Sequence, residues 1–295
     1  MTRAVSPPRH GALVVTGAST GIGEACARHL ANLGYRVFAA VRKEPDAETL
    51  AQKHPNITPI LFDVRDASAL RQAAEFVAKE VGSAGIQGLL NNAGIAVAAP
   101  LEHLPLEDLR LQLEINVVGQ LAVTQAFMPL LRQGRGRITF MSSISGLLAA
   151  PIVGAYSASK HAVEALADAL RLELKEWGIE VNLVEPGQIA TPIWTTSARA
   201  ADERQGRMAP ETVARYGWMM RAARVRAGQG AKHGTDPHEV ALAVAKALVG
   251  PRPKTRYLVG KDARAVKVIA ALPDRLRDRI VLKQVRKMAA AYRER

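Results

Sequence analysis

The strongest constraint on this chain is a glycine-rich turn set between a short apolar run and a helical pattern. Ala12-Leu-Val-Val-Thr16 reads as a buried strand, and Gly21 to Leu33 reads as a helix. The turn is Thr16-Gly-Ala-Ser-Thr-Gly-Ile-Gly23, with Gly17, Gly21 and Gly23 in a GxxxGxG spacing. Glycine lets a backbone turn tightly and approach a ligand closely. A helix that opens at such a turn presents free N–H groups and the positive end of its dipole, which suits a pyrophosphate. The turn alone is a weak signal. A strand before it and a helix after it supply the context that a dinucleotide site requires. Gly17, Ser19, Thr20, Gly21, Ile22 and Gly23 are therefore the first candidate binding residues.

Further apolar runs alternate with helical patterns. Strands are expected at Tyr35 to Val41, Ile57 to Asp63, Ile86 to Asn91, Arg137 to Ser142, Glu180 to Glu185 and Arg256 to Val259. Helices are expected at Asp46 to His54, Ala67 to Val81, Leu106 to Leu131, Tyr156 to Trp177 and Asp236 to Val249. Short strands separated by helices predict an α/β fold with a doubly wound parallel sheet and helices on both faces. The expected plan is a mobile arm at 1–10, one Rossmann-like dinucleotide-binding domain at 11–260 and a helical extension at 261–295. Residues 192–235 break the pattern and are expected to cover the strand ends as a substrate insertion.

Hydrophobic residues make up 48 % of the 295 and charged residues 23 %, which excludes a disordered chain. The net charge of +13 is concentrated at one end. Residues 251–295 hold 14 Lys/Arg against 4 Asp/Glu, and the first 250 residues hold 26 against 23. Nucleic-acid binding by the body is therefore not expected. The single cysteine, Cys26, allows no intramolecular disulfide or multi-cysteine metal site, and suits a reducing, cytoplasmic setting. Met1 to His10 lacks the apolar stretch of a signal peptide. The uncharged run Ile138 to Ser159 is long enough to span a bilayer, but its serines and Pro151 suit a strand, a loop and a helix start better.

At the end of the second strand an acidic residue would accept a ribose 2′-hydroxyl and repel a 2′-phosphate. Val41-Arg42-Lys43 stands there instead, and two cations favour the phosphate, so NADP(H) is expected over NAD(H). Glu44 follows and weakens this slightly. Asp63, followed by Val64, is a candidate acceptor for the adenine amino group or else a plain strand-end cap. Tyr156 and Lys160, four apart, share a helix face. A phenol has a pKa of ~10, and a neighbouring cation should pull it toward neutrality. Such a Tyr exchanges a proton at a carbinol oxygen. His161 is turned about 100° from that face and is not expected to be catalytic.

Taken in order, TGASTGIG at 16–23, Asn91-Asn-Ala-Gly94, Asn116, Ser143, Tyr156 with Lys160, and Pro186-Gly187 with Thr191 resemble the short-chain dehydrogenase/reductase family of the Tyr-x-x-x-Lys type. The similarity covers about residues 11–260, and the overall pattern is similar to hydroxysteroid and retinol dehydrogenases and their bacterial relatives. The resemblance implies that Tyr156 is the general acid/base and that Lys160 lowers its pKa and holds the nicotinamide ribose. It implies that Ser143 bonds the substrate oxygen and that Asn116 holds a water linking Lys160 to solvent. Asn92, Ala93 and Gly94 would border the cofactor. Pro186, Gly187, Ile189 and Thr191 would line its nicotinamide. Ser142 would point away from Ser143 if the strand persists. Relatives pair helices 106–131 and 156–177 across a two-fold axis, and the small residues Ala158, Ala162, Ala165 and Ala169 fit a homodimer or homotetramer.

The substrate is expected to meet Ile95, Val97, Leu147, Leu148, Ile152, Val153, Ile193 and Trp194, an apolar set that suits a lipophilic alcohol or ketone. No Arg or Lys is placed for a carboxylate, with Arg199 left open. In the tail, Val281, Leu282, Val285, Met288, Ala289 and Tyr292 fall opposite Arg275, Arg279, Lys283, Arg286 and Lys287. Packing of that stripe on the domain is preferred to peripheral membrane contact through 273–295. The competing function is a non-catalytic, dinucleotide-binding redox sensor, which would have no need of the Ser143, Tyr156, Lys160 and Asn116 set.

Overall fold

The computed structural model describes residues 10–292. The expected arm at 1–9 and the last three residues lie outside that range, and His10, assigned to the arm, instead opens the first strand. The strands are β1 (His10–Val15), β2 (Tyr35–Val41), β3 (Ile57–Leu61), β4 (Gly88–Asn91), β5 (Arg137–Met141), β6 (Val181–Pro186) and β7 (Arg256–Val259). They form one parallel sheet in the order β3-β2-β1-β4-β5-β6-β7. The order reverses between β1 and β4, and the crevice beyond their carboxyl ends is where open parallel sheets bind ligands.

Strand side chains alternate between faces, so one run of apolar residues feeds two cores. Ala12 and Val14 pack with Phe38, Phe127 and Phe140 under α3 (Ala67–Val81), α5 (Gly119–Gly134) and α6 (Gly154–Glu173). Leu13 and Val15 pack on the other face with Val37, Leu30 and Val244, under α1 (Gly21–Asn32), α2 (Glu44–Ala51) and α9 (Pro237–Val249). The helix expected at 106–131 is divided into α4 (Leu106–Leu113), a π-helical turn (Glu114–Val118) and α5. The extra residue of a π turn re-aims side chains and often marks a functional position. Asn116 lies in it.

The insertion at 192–235 is helical, with α7 (Ile193–Gln205) and α8 (Pro210–His233). Arg204 of α7 pairs with Asp108 of α4 at 2.6 Å, and Tyr216 of α8 bonds Glu102. The extension forms α10 (Ala263–Ala270) and α11 (Asp274–Ala290), and α11 packs along α8.

One polar cluster fixes α6 against the sheet edge. Arg256 of β7 reaches Glu164 (3.1 Å) and Asp168 (2.8 Å) on α6, and Glu185 (3.2 Å) on β6. The Glu185 side chain is 1 % exposed. Burial, with the Glu164 charge second, pushes its pKa up to about 7 despite Arg256. A carboxyl whose folded pKa exceeds its unfolded value binds more protons in the folded state, so its contribution is lost as pH rises through neutrality. Glu185→Gln should therefore match the wild type in thermal midpoint near pH 5 and exceed it by a few degrees at pH 8. A variant equal to or below the wild type at pH 8 in calorimetry contradicts this assignment.

Candidate active site

The glycine loop leaves β1 with φ +63° at Gly17 and φ +60° at Gly21, a backbone that only glycine adopts without strain. A Cβ on Gly23 would collide with the Gly17 carbonyl oxygen, and one on Gly17 would lie 2.8 Å from the Ala93 Cα. Thr20 caps α1 with its backbone only and makes no side-chain cap bond, so the first-turn N–H groups remain open to an anion. Thr16 and Asn92 lock the loop to the end of β4. Thr16 Oγ1 accepts from the Asn92 and Ala93 N–H groups at 2.9 and 3.0 Å. Asn92 Nδ2 donates to the Thr16 and Gly17 carbonyls at 3.0 and 3.1 Å. Thr191 lies directly over Gly21, so the segment after β6 meets the loop after β1. A narrow, glycine-walled cradle at an open helix start fits a dinucleotide pyrophosphate.

Arg42 and Lys43 are exposed at the end of β2. Asp63 is held by Arg65. Its carboxylate accepts from the Arg65 side chain at 2.8 and 3.0 Å and from the Arg65 backbone N–H at 3.0 Å. These bonds hold its pKa down, with Arg42 adding at longer range. Oδ1 takes two of these bonds and Oδ2 one, so Oδ2 keeps acceptor capacity, and Arg65 joins Arg42 and Lys43 as a third cation at this corner. Arg65 was not singled out in the sequence because the signal for it, an Arg two residues after a strand-end Asp, is common at loops. Val64 is buried against Gly119.

Tyr156 and Lys160 sit in the first two turns of α6, and Ser143 lies just past β5. All three, with Asn92, Gly94, Pro186, Gly187, Ile189 and Thr191, line one cavity of about 430 Å³. Tyr156 is half-buried, and desolvation raises the pKa of its phenol, while the neighbouring Ser143 hydroxyl acts in the opposite direction. The expected lowering by Lys160 is absent. The lysine Nζ lies 5.7 Å from the Tyr156 ring centroid, but it donates to the Met141 carbonyl at 2.6 Å. Burial brings the lysine pKa down to about 8, with the Glu164 carboxylate partly opposing this. The i, i+4 spacing thus aligns the two groups, and desolvation is the largest influence on each. Ser143 Oγ accepts from the Ser145 N–H at 3.1 Å and is directed toward the Pro186 carbonyl. Ser142 is buried, and its Oγ has no hydrogen-bond partner among the described residues. His161 Nδ1 meets the Ser157 carbonyl at 2.9 Å, within its own helix.

Asn116 is fully buried, with Oδ1 accepting from the Ile95 N–H at 2.9 Å. Its Nδ2 donates to the Ile95 carbonyl at 3.0 Å and to Ser159 Oγ at 3.1 Å. What this side chain holds directly is the loop after β4 and the helix carrying Tyr156. Two neighbours extend the pattern. Gln112 Oε1 accepts from the Val97 N–H at 2.7 Å and its Nε2 donates to the Ile95 carbonyl at 2.9 Å, while Gln120 Nε2 reaches the Ala93 carbonyl at 3.0 Å. Amides at 112, 116 and 120 therefore pin residues 93–97 along one helical stripe. Their spacing of four was a legible signal that the sequence reading did not use.

The cavity wall includes Ile95, Leu148, Ile152, Val153, Ile193 and Trp194, as expected. Val97 instead sits in a small core cluster with Ala99 and Leu104, and Leu147 does not reach the cavity. Val281, Val285 and Met288 of α11 close the far side, so the tail's apolar stripe faces inward. Arg199 is exposed and pairs with Glu203, whereas Arg226 of α8 lines the cavity.

Residues 12–202 match the short chain dehydrogenase family, to which this chain belongs. It is 38 % identical to an NADPH-dependent 3-dehydrocapnine reductase from Ornithobacterium rhinotracheale, over 93 % of this chain and 97 % of that protein. It is 33 % identical to human retinol dehydrogenase 5, over 93 % and 89 % of the two chains. Human 17-beta-hydroxysteroid dehydrogenase type 6 is 34 % identical over 94 % and 89 %. Among solved structures, a short-chain dehydrogenase from Streptomyces avermitilis superposes with TM-score 0.73 at 25 % identity, covering 99 % of this chain and 100 % of that one. The protein is an NAD(P)-dependent oxidoreductase.

Asn116→Ala should leave the Ile95 N–H without its side-chain acceptor and break the link to Ser159, while Gln112 keeps the Ile95 carbonyl, and should cost about 1–3 kcal/mol, measured as a lower denaturant midpoint. An unchanged midpoint would show that the loop after β4 is held without it.

Proposed function

We propose that the enzyme transfers a hydride between NADP(H) and a lipophilic alcohol or ketone, with Tyr156 as the proton-exchanging group. The observation that carries this is the convergence of Tyr156 and Ser143 at the glycine-loop end of a largely apolar cavity, with the Lys160 ammonium anchored behind them. The dinucleotide supplies the hydride when bound, and Gly17 to Gly23, Asn92, Gly94, Pro186, Gly187, Ile189 and Thr191 would hold it. This chain's own residues orient the carbonyl and complete the proton balance. Ser143 and Tyr156 donate to the substrate oxygen as negative charge develops there, which is where preorganised donors contribute most. Desolvation favours the protonated form of the phenol, whose proton goes to that oxygen. Lys160, held by the Met141 carbonyl, keeps positive charge beside the phenol that has given up its proton.

Arg42 and Lys43, with Arg65 beside Asp63, support a 2′-phosphate and hence NADP(H). The NADPH dependence of the Ornithobacterium relative agrees with that preference. The exposed small residues Ala158, Ala165 and Ala169 on α6 support a homodimer or homotetramer through the face shared with α5. The single cysteine, Cys26, unpaired and buried, supports a reducing, cytoplasmic setting. No described helix is long and apolar enough to cross a membrane.

Tyr156→Phe should lower kcat at least about a hundredfold while dinucleotide affinity, read by fluorescence titration, stays nearly constant. Retention of full turnover would remove Tyr156 from the chemistry. Arg42→Asp should shift the NADP-over-NAD ratio of kcat/KM toward NAD by about tenfold or more. An unchanged ratio would contradict the cofactor preference.

A further inference from the structure

Three cations line the cavity among the described residues, and two of them are already engaged. Lys160 donates to the Met141 carbonyl, and Arg224 is held by Asp202 and Gln205 at 2.7 and 2.8 Å. The third, Arg226, makes no side-chain hydrogen bond and no ion pair within 4.0 Å to any described residue. Its backbone is fixed, since its carbonyl accepts from Gln188 Nε2 at 3.4 Å, in the segment that follows Gly187. Asp262 is the carboxylate within electrostatic reach, but its oxygens lie 3.2 and 3.3 Å from the Gln188 N–H, which they accept.

Position makes this exception informative. Met219, Ala222, Ala223 and Arg226 follow one another at helical spacing on the cavity face of α8. Three of the four are apolar or small. That arginine lines the same cavity as Ile269, Val285 and Met288, a cation in a mostly apolar lining. Burial pushes its guanidinium pKa down, and Asp262 only partly offsets this. Arg226 is half-buried, and a partly desolvated charge without a protein partner is favoured by a ligand that brings the opposite charge. A guanidinium also offers paired donors matched to a carboxylate or sulfonate.

We propose that the substrate is an anionic amphiphile, a carbonyl or carbinol compound whose acidic group is seated on Arg226 and whose apolar chain lies against the α8 and α11 wall. This deepens the lipophilic alcohol or ketone assignment above and rests on it. It also reverses the expectation that no cation is placed for an acid. Arg226 is thereby a specificity-determining residue, distinct from the groups that exchange the proton.

The test compares NADPH oxidation with 4-, 8- and 12-oxohexadecanoate against their methyl esters, in wild type, Arg226→Gln and Arg226→Lys. For at least one oxo position the wild type should favour the acid over the ester about tenfold or more in kcat/KM. That ratio should approach one in Arg226→Gln and survive in part in Arg226→Lys. A second arm measures calorimetric binding of dodecane-1-sulfonate and dodecan-1-ol to the NADP-loaded protein, and the sulfonate's advantage should shrink in Arg226→Gln. Acid and ester reduced equally well, or a ratio untouched by Arg226→Gln, would overturn the proposal and leave the oxidoreductase assignment standing. A change confined to the KM for NADPH would assign Arg226 to the dinucleotide and overturn it too. No reduction of any compound, with sulfonate binding still dependent on Arg226, would uphold the anion site and overturn the alcohol or ketone assignment. Absence of both would overturn both.

Discussion

The buried ammonium of Lys160 donates to the carbonyl of Met141 at 2.6 Å, tying the second turn of α6 to the last residue of β5. That contact sets the register of the site. Tyr156 stands one turn earlier on the same helix, and Ser143 stands two residues beyond the same strand end. Arg256 holds α6 from the other direction through Glu164 and Asp168. A helix fixed at both its strand-end and edge contacts keeps a phenol in place to the tolerance that proton transfer needs. Partial burial of charge at both points is offset by explicit partners, consistent with the rule that buried ions are paired.

The sheet's switch point and the amide ladder have a complementary task. Gly17, Gly21 and Gly23 form a cradle that side chains would fill, and Thr16 with Asn92 fastens it to β4. Gln112, Asn116 and Gln120 hold the next five residues. The dinucleotide side of the cavity is thus rigid and built from backbone. The substrate side is built from α7, α8 and α11, elements joined to the body by surface ion pairs and apolar contact. The two sides of the cavity are thus built differently, one from backbone held by amide side chains and the other from side chains of three later helices.

Much of this was legible in the residues. Strand and helix order followed from runs such as Leu13 to Val15 and Leu89 to Leu90, because strands buried on both faces are continuously apolar. The glycine turn and the Tyr156/Lys160 pair depend on local spacing, which a sequence displays directly. The failures came from properties that spacing does not contain. The direction of the Tyr156 pKa depended on burial and on where the Lys160 ammonium turned, both set by tertiary packing. The engagement of Asp63 by Arg65, a partner only two residues away, depends on the loop geometry. The π turn at Glu114–Val118 interrupts a helical pattern without leaving a compositional mark. The inward face of α11, and the place of Arg226 opposite it, required knowing which helices meet.

The central claim is that a substrate oxygen is received jointly by Tyr156 and Ser143 at the closed end of the cavity. Crystallography of the enzyme with oxidised dinucleotide and a slowly reacting alcohol tests this most directly. The account predicts the alcohol oxygen at about 2.6–3.2 Å from both Tyr156 Oη and Ser143 Oγ, with the carbinol carbon facing the nicotinamide. An oxygen held elsewhere in the cavity, with the phenol bonded only to protein, would contradict it.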